Sequence, residues 1–231
     1  MVPAEQLVSL VAPASMEADQ YRGLRHSVER MRRDTGLQLF AVTSPGVGDG
    51  KTVTTLNLAG SLAQSHDARV LVIDADLHRP STAAYLGVEL PHVLGLSDLI
   101  GDTCEELSHA LRRIEGANLW LLPSGACEGG AYELLNSPRL EWVLREARRI
   151  FDFVVIDTPP VVPLPDCRLI GQWVDGFIVV VSAHRTPRKA LAEALALLDP
   201  SKVIGLVFNG DTRPLKPYSG YGYYSAPAAA R

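Results

Sequence analysis

The chain has 231 residues and a mass of 25.0 kDa, with 47% hydrophobic and 21% charged residues, the balance of a folded globular protein with one core and far from that of a disordered or fibrous chain. A formal net charge of −4 gives no global attraction to nucleic acid, which is therefore not expected as a partner. Three cysteines, Cys104, Cys127 and Cys167, stand without CxxC or Cys/His spacing, so neither a disulfide framework nor a zinc site is indicated and a reducing cytoplasm fits.

Residues 1–15 are rich in small residues and prolines and read as an irregular arm. A helix follows over 16–34, because Tyr21, Leu24, Val28 and Met31 recur at helical spacing while Arg22, Arg25, Glu29 and Arg32 point elsewhere. The run "LQLFAVTS" (37–44) is a strand that ends in a glycine-laden turn, and "KTVTTLNLAGSLAQS" (51–65) returns to helical spacing. Residues 69–76, 151–158, 175–183 and 201–209 are nearly continuous apolar runs, the pattern of strands covered on both faces, and 117–125 adds another. Helical patterns at 131–150 and 187–198 separate them. Strands alternating with helices predict a doubly wound α/β fold with a mostly parallel sheet over 16–209. No apolar run reaches the roughly 18 residues that a membrane span needs. The last segment, 210–231, holds "YSGYGYY", four of the seven tyrosines spaced by glycine and serine, and reads as a flexible tail.

The stretch "SPGVGDGKT" (44–52) lies between a predicted strand and a predicted helix, the context that gives a glycine-rich loop its meaning. Gly46, Gly48 and Gly50 allow a tight turn whose amides, with those of Val47, Asp49 and Val53, face a phosphate; Lys51 reaches the outer phosphates and the Thr52 hydroxyl suits magnesium. The full loop pattern would have glycine at position 45, where Pro45 stands. Asp74 and Asp76 close one buried run and Asp157 another, at the strand ends where ligands bind in open α/β sheets. Three carboxylates beside a triphosphate suit a hard cation, and they complete an expected magnesium set of Thr52, Asp74, Asp76 and Asp157. Asn209, after the last strand, either reads an adenine edge or forms a turn. Asp166 suits a helix cap, its alternative role at the nucleotide pocket being one that only the family resemblance below implies, and His26, His66, His92, His109 and His184 form no ligand spacing.

Taken in order, "SPGVGDGKTVTTLNLA", "VLVIDADLHRP", "FDFVVIDTPPVVPLPDC", "DQYRGLRHSV", "ELLNSPRL" and the tyrosine-rich tail resemble the bacterial tyrosine kinases of capsule and exopolysaccharide synthesis. The resemblance covers most of residues 16–231. It implies ATP- and magnesium-dependent transfer of phosphate to Tyr218, Tyr221, Tyr223 and Tyr224 of a neighbouring copy. Lys51 would hold the phosphates, Thr52 and Asp74 would serve magnesium, Asp76 would help activate the tyrosyl hydroxyl, and Asp157 would order the metal's waters. Either Asp74 or Asp76 is the base. Asp19, Arg22 and Arg25 match the family's E-x-x-R-x-x-R subunit contact, with aspartate for glutamate, and His78 stands where the family's D-x-D-x-R has arginine, Arg79 coming next. A transmembrane polysaccharide co-polymerase would serve as adaptor and recruit this cytoplasmic kinase to the inner face of the plasma membrane. The alternatives are a ParA/MinD-type ATPase switch, whose signature lysine would occupy the place of Gly46, and a weakly active nucleotide-binding scaffold.

Overall fold

The apolar runs become the strands of one sheet. The computed structural model describes residues 2–65, 67–89, 94–101, 105–127 and 130–211; the four tail tyrosines lie outside them. Strands β1 (Leu39–Thr43), β2 (Val70–Asp74), β3 (Arg112–Ile114), β4 (Leu119–Leu122), β5 (Phe153–Asp157), β6 (Gly176–Ser182) and β7 (Val203–Asn209) lie in the order β3-β4-β2-β5-β1-β6-β7. All pairings are parallel except that of β3 with β4. Every residue of β1, β2, β5 and β6 is buried, as continuous apolar strands require when helices cover both faces.

The covering helices are α1 (Val8–Val11), α2 (Met16–Thr35), α3 (Lys51–Leu62), α4 (Thr82–Leu86), α5 (Leu96–Gly101), α6 (Leu107–Ala110), α7 (Ala131–Leu135), α8 (Pro138–Ile150), α9 (Asp166–Ile170) and α10 (Arg188–Leu197). One core layer packs Leu56, Leu58 and Leu62 of α3 and Val28 of α2 against Phe40, Val42 and Val155 of the sheet. The opposite layer packs Leu140, Val143 and Leu144 of α8 with Leu99 of α5 against Leu71, Ile73 and Val154. Helix α2 starts where the Ser15 side chain accepts from the Ala18 amide and stops at Gly36, whose φ of 77° suits the left-handed cap.

Two expectations change and one strand is added. The helical pattern over 131–150 is two helices, because Pro138 biases Ser137 out of the helical region and then opens α8, with Ser137 Oγ accepting from the Arg139 amide. Strand β3 is a three-residue edge strand, too short to show a period. The arm at 1–15 carries one helical turn and is tied to the core. Leu7 is fully buried, the Ala4 amide donates to Tyr85 O at 2.8 Å, and the buried Asn57 accepts from the Ser9 amide and donates to Gln6 O, both at 2.9 Å. A β-carbon on Gly60 would meet Leu10 at 2.9 Å, so α3 carries a glycine where the arm crosses it.

A packed arm makes Leu7 a core residue. Leu7→Ala should cost about 2–5 kcal/mol in denaturant unfolding. A cost below about 0.5 kcal/mol would mean that the arm contributes nothing to the core.

Candidate functional site

The carboxyl ends of β1, β2 and β5 meet at one point. In the parallel register of β2 and β5, Asp74 is the direct partner of Asp157, so two carboxylates end adjacent strands side by side. The chain leaving β1 turns through residues 44–50 and starts α3 at Lys51, which aims the helix's first amides at the same point. Gly48 and Gly50 have φ values of 83° and 93°, a region costly for other residues. At Gly50 there is also no room: an added β-carbon would lie 1.9 Å from Asn209 Nδ2.

Lys51 Nζ donates to Asp76 Oδ2 at 2.9 Å and lies 3.7 Å from Asp157 Oδ2. Thr52 Oγ1 donates to Asp157 Oδ2 at 2.7 Å and Thr55 Oγ1 to Asp157 Oδ1 at 3.1 Å. Asp74 points inward: its Oδ2 accepts from the amides of Ser81 and Thr82, each at 3.1 Å, and from Thr82 Oγ1 at 2.7 Å, while its Oδ1 accepts from the Asp76 amide at 3.2 Å. Burial pushes the Asp74 carboxyl up, against the pull of these donors. At Asp157 burial is again the largest influence; it outweighs the attraction of Lys51 and, with Asp74 beside it, pushes the carboxyl up to about 7. For Lys51, burial favours the neutral amine, yet Asp157 and then Asp76 and Asp74 overcome it and hold the ammonium above its ordinary range.

The structure brings the sequence-predicted loop, residues 46–53, together with Asp74, Asp76 and Asp157. Val47 stands exposed at the loop's tip. Asn209 ends β7 and donates from Nδ2 to Asp49 O at 3.1 Å, so it braces the loop and is not a free turn residue. Asp49 is itself a brace, accepting from the Gly46 amide at 2.9 Å and from Thr186 Oγ1 at 2.7 Å. Asp166 is not a helix cap, since Pro165 holds that position; its buried Oδ2 lies 2.9 Å from His78 Nε2. His78 thus takes a carboxylate partner at the position where an arginine was expected. Asp19 and Arg22 pair with each other on α2, and Arg25 Nη1 donates to Ser61 O at 3.0 Å, fastening α2 to α3. Thr55, Thr82 and Thr186 went unnoticed in the sequence. Thr55 had one usable signal, since it follows Thr52 by three residues and so shares its helical face.

Among the described residues no three His, Cys, Asp or Glu side chains converge as a closed metal cage. The donor set nevertheless suits magnesium, which keeps waters and takes few protein ligands. The Thr52 hydroxyl lies at the loop against Asp157, a fully buried carboxyl that burial pushes up. A glycine loop running from the end of a buried strand into the first turn of a buried helix that opens with Lys51 and Thr52 places the protein among the P-loop nucleoside-triphosphate-binding folds.

Residues 38–183 match the AAA-domain family. The tyrosine-protein kinase YwqD of Bacillus subtilis is 31% identical over 220 residues, which are 94% of this chain and 90% of that one. The succinoglycan biosynthesis transport protein ExoP of Rhizobium meliloti is 28% identical over 228 residues, which take in 95% of this chain and 28% of ExoP. The kinase domain of the Escherichia coli tyrosine kinase ETK superposes with a TM-score of 0.84 at 25% identity, covering 96% of this chain and 87% of the other. This chain belongs to the bacterial tyrosine-kinase family.

The raised carboxyl of Asp157 has a measurable consequence. Its folded pKa of about 7 exceeds the ordinary 3.8, so the folded chain binds this proton more tightly, and the stability it lends is complete below about pH 4 and lost as pH rises through about 7. Without nucleotide or magnesium, the wild-type unfolding free energy should fall over that interval relative to Asp157→Asn. A difference between the two that stays constant with pH would contradict the assignment.

Proposed function

We propose that the chain is an ATP- and magnesium-dependent tyrosine autokinase whose principal targets are Tyr218, Tyr221, Tyr223 and Tyr224 of another copy. The observation that carries this reading is the Lys51–Asp76 pair at 2.9 Å beside the glycine loop, a cation for phosphate and a carboxylate for a proton in one contact. In the reaction, the loop amides and Lys51 hold the phosphates, and Lys51 exchanges Asp76 for phosphate oxygens. Asp76 Oδ2 is then a free acceptor, while Oδ1 keeps the Arg79 amide at 3.0 Å. The tyrosyl oxygen forms its bond to the γ-phosphorus, the bond from that phosphorus to the leaving ADP oxygen breaks, and the phenolic proton passes to Asp76. A phenol of pKa near 10 needs such an acceptor. Asp74, whose Oδ2 is filled by three donors, holds the 75–82 loop and leaves the base role to Asp76. Thr52 and Asp157 would hold magnesium and its waters; the ion supplies charge neutralisation on the phosphates.

A ParA/MinD-type switch is disfavoured by Gly46, which stands where its signature lysine belongs. The match to a segment of the much longer ExoP supports a role in exopolysaccharide or capsule synthesis and export alongside a polysaccharide co-polymerase. Among the described residues no helix is long and apolar enough to cross a membrane, so a transmembrane adaptor would bring the kinase to the inner membrane face. Asp19, Arg22 and Arg25 on α2 are the proposed contact between copies in a homo-oligomer.

Incubating the full chain with ATP and magnesium, with and without its adaptor, and locating phosphate by mass spectrometry tests this reading. The four tail tyrosines should carry it, and Lys51→Met and Asp76→Asn should each slow labelling by about 10²–10⁴-fold. Tail tyrosines left bare under every condition would overturn the kinase reading, and undiminished labelling in Lys51→Met would overturn the site.

A further inference from the structure

The turn after β6 carries a cation that the reaction above does not use. Residues 183–186 are fixed on three sides. The Ala183 amide donates to Asn209 O at 2.7 Å, Thr186 Oγ1 accepts from the Ser182 amide at 2.9 Å, and the same Thr186 Oγ1 donates to Asp49 Oδ1 in the glycine loop at 2.7 Å. The amides of Arg185 and Thr186 both donate to Ser182 O, at 3.2 and 3.0 Å. His184 sits in the left-handed region at φ 62°, an unusual conformation for a residue with a side chain and one that persists only where surrounding contacts impose it. Its ring lies 3.9 Å from Asp211 Oδ1, a further tie to the chain beyond β7.

This bracket delivers Arg185 to the glycine loop. A β-carbon added to Gly48 would lie 3.9 Å from Arg185 Nη2, and among the described residues the guanidinium has no hydrogen-bond or ion-pair partner. The neighbourhood needs it. Asp49, Asp74, Asp76 and Asp157 are all buried here, and among the described residues Lys51 is the one cation paired with any of them. A nucleoside triphosphate brings about four more negative charges to this place, and a guanidinium recognises phosphate oxygens through paired, charge-assisted donors.

We propose that Arg185 is a second phosphate-binding cation of the site, held by the Thr186–Asp49 bracket and reaching over Gly48 to the nucleotide's polyphosphate. The inference rests on the nucleotide-binding reading given above. It also explains why Asp49 is braced by Thr186: the bond keeps the arginine turn and the loop in one fixed relation.

The test is the dissociation constant of the full chain for ATP with magnesium, and separately for adenosine, in wild type, Arg185→Gln and Arg185→Lys. Arg185→Gln should weaken ATP about 10- to 100-fold, the loss expected when a hydrogen bond to a charged group is removed. It should leave adenosine unchanged, and Arg185→Lys should recover part of the ATP affinity. If wild type binds ATP while Arg185→Gln binds it within about twofold, or loses ATP and adenosine affinity equally, Arg185 is no phosphate ligand and the site stands without it. A wild-type chain that binds no ATP would overturn the nucleotide reading and this inference together.

Discussion

Three buried carboxylates gathered round a single ammonium form the constraint on which the rest of this structure depends. Asp74 and Asp157 are set side by side by the parallel register of β2 and β5, and Asp76 follows two residues on. Burying such groups is costly unless each finds donors or a counter-charge. The surrounding sequence supplies them: Thr52 and Thr55 from the first turn of α3, Ser81 and Thr82 from the start of α4, and the Lys51 ammonium. What remains is a site in which one ammonium answers three carboxylates, the setting on which the proposed binding of magnesium and phosphates rests.

The same constraint explains the order of the strands around the site. With β1 placed between β5 and β6, the glycine loop opens beside the carboxylates on one side and beside the ends of β6 and β7 on the other. The second side is a scaffold of neutral and charged hydrogen bonds, from Asn209 to Asp49 O and from Thr186 to the Asp49 carboxylate. Loop geometry therefore rests on residues more than a hundred positions away in sequence. Asn209 and Gly50 illustrate the coupling, since the amide occupies the volume that any side chain at position 50 would need.

Much of this was legible in the sequence because it depends on local pattern. Continuous apolar runs ending in aspartate mark buried parallel strands and the end of the sheet that carries the chemistry. A glycine loop before Lys51 and Thr52 marks the proposed phosphate site. What stayed hidden depends on long-range placement. Nothing near Leu7 tells that its arm packs on α3, nor does the spacing of Asp74 and Asp76 reveal that one turns inward to bind Ser81 and Thr82 while the other meets Lys51. The split between α7 and α8 has a local cause: apolar periodicity continues across Ser137 and Pro138, and the proline overrides it.

A kinase that modifies its own tyrosines on another copy makes one demand that no isolated active site can meet: donor and acceptor must be different chains. Mixing a Lys51→Met chain with an intact tail and a chain with an intact site but Tyr218, Tyr221, Tyr223 and Tyr224 changed to Phe tests that demand directly. The account predicts phosphate on the tail of the Lys51→Met chain, at a rate that rises with the concentration of the other. A Lys51→Met tail that stays bare at every ratio, under conditions where the wild-type chain labels itself, would contradict it.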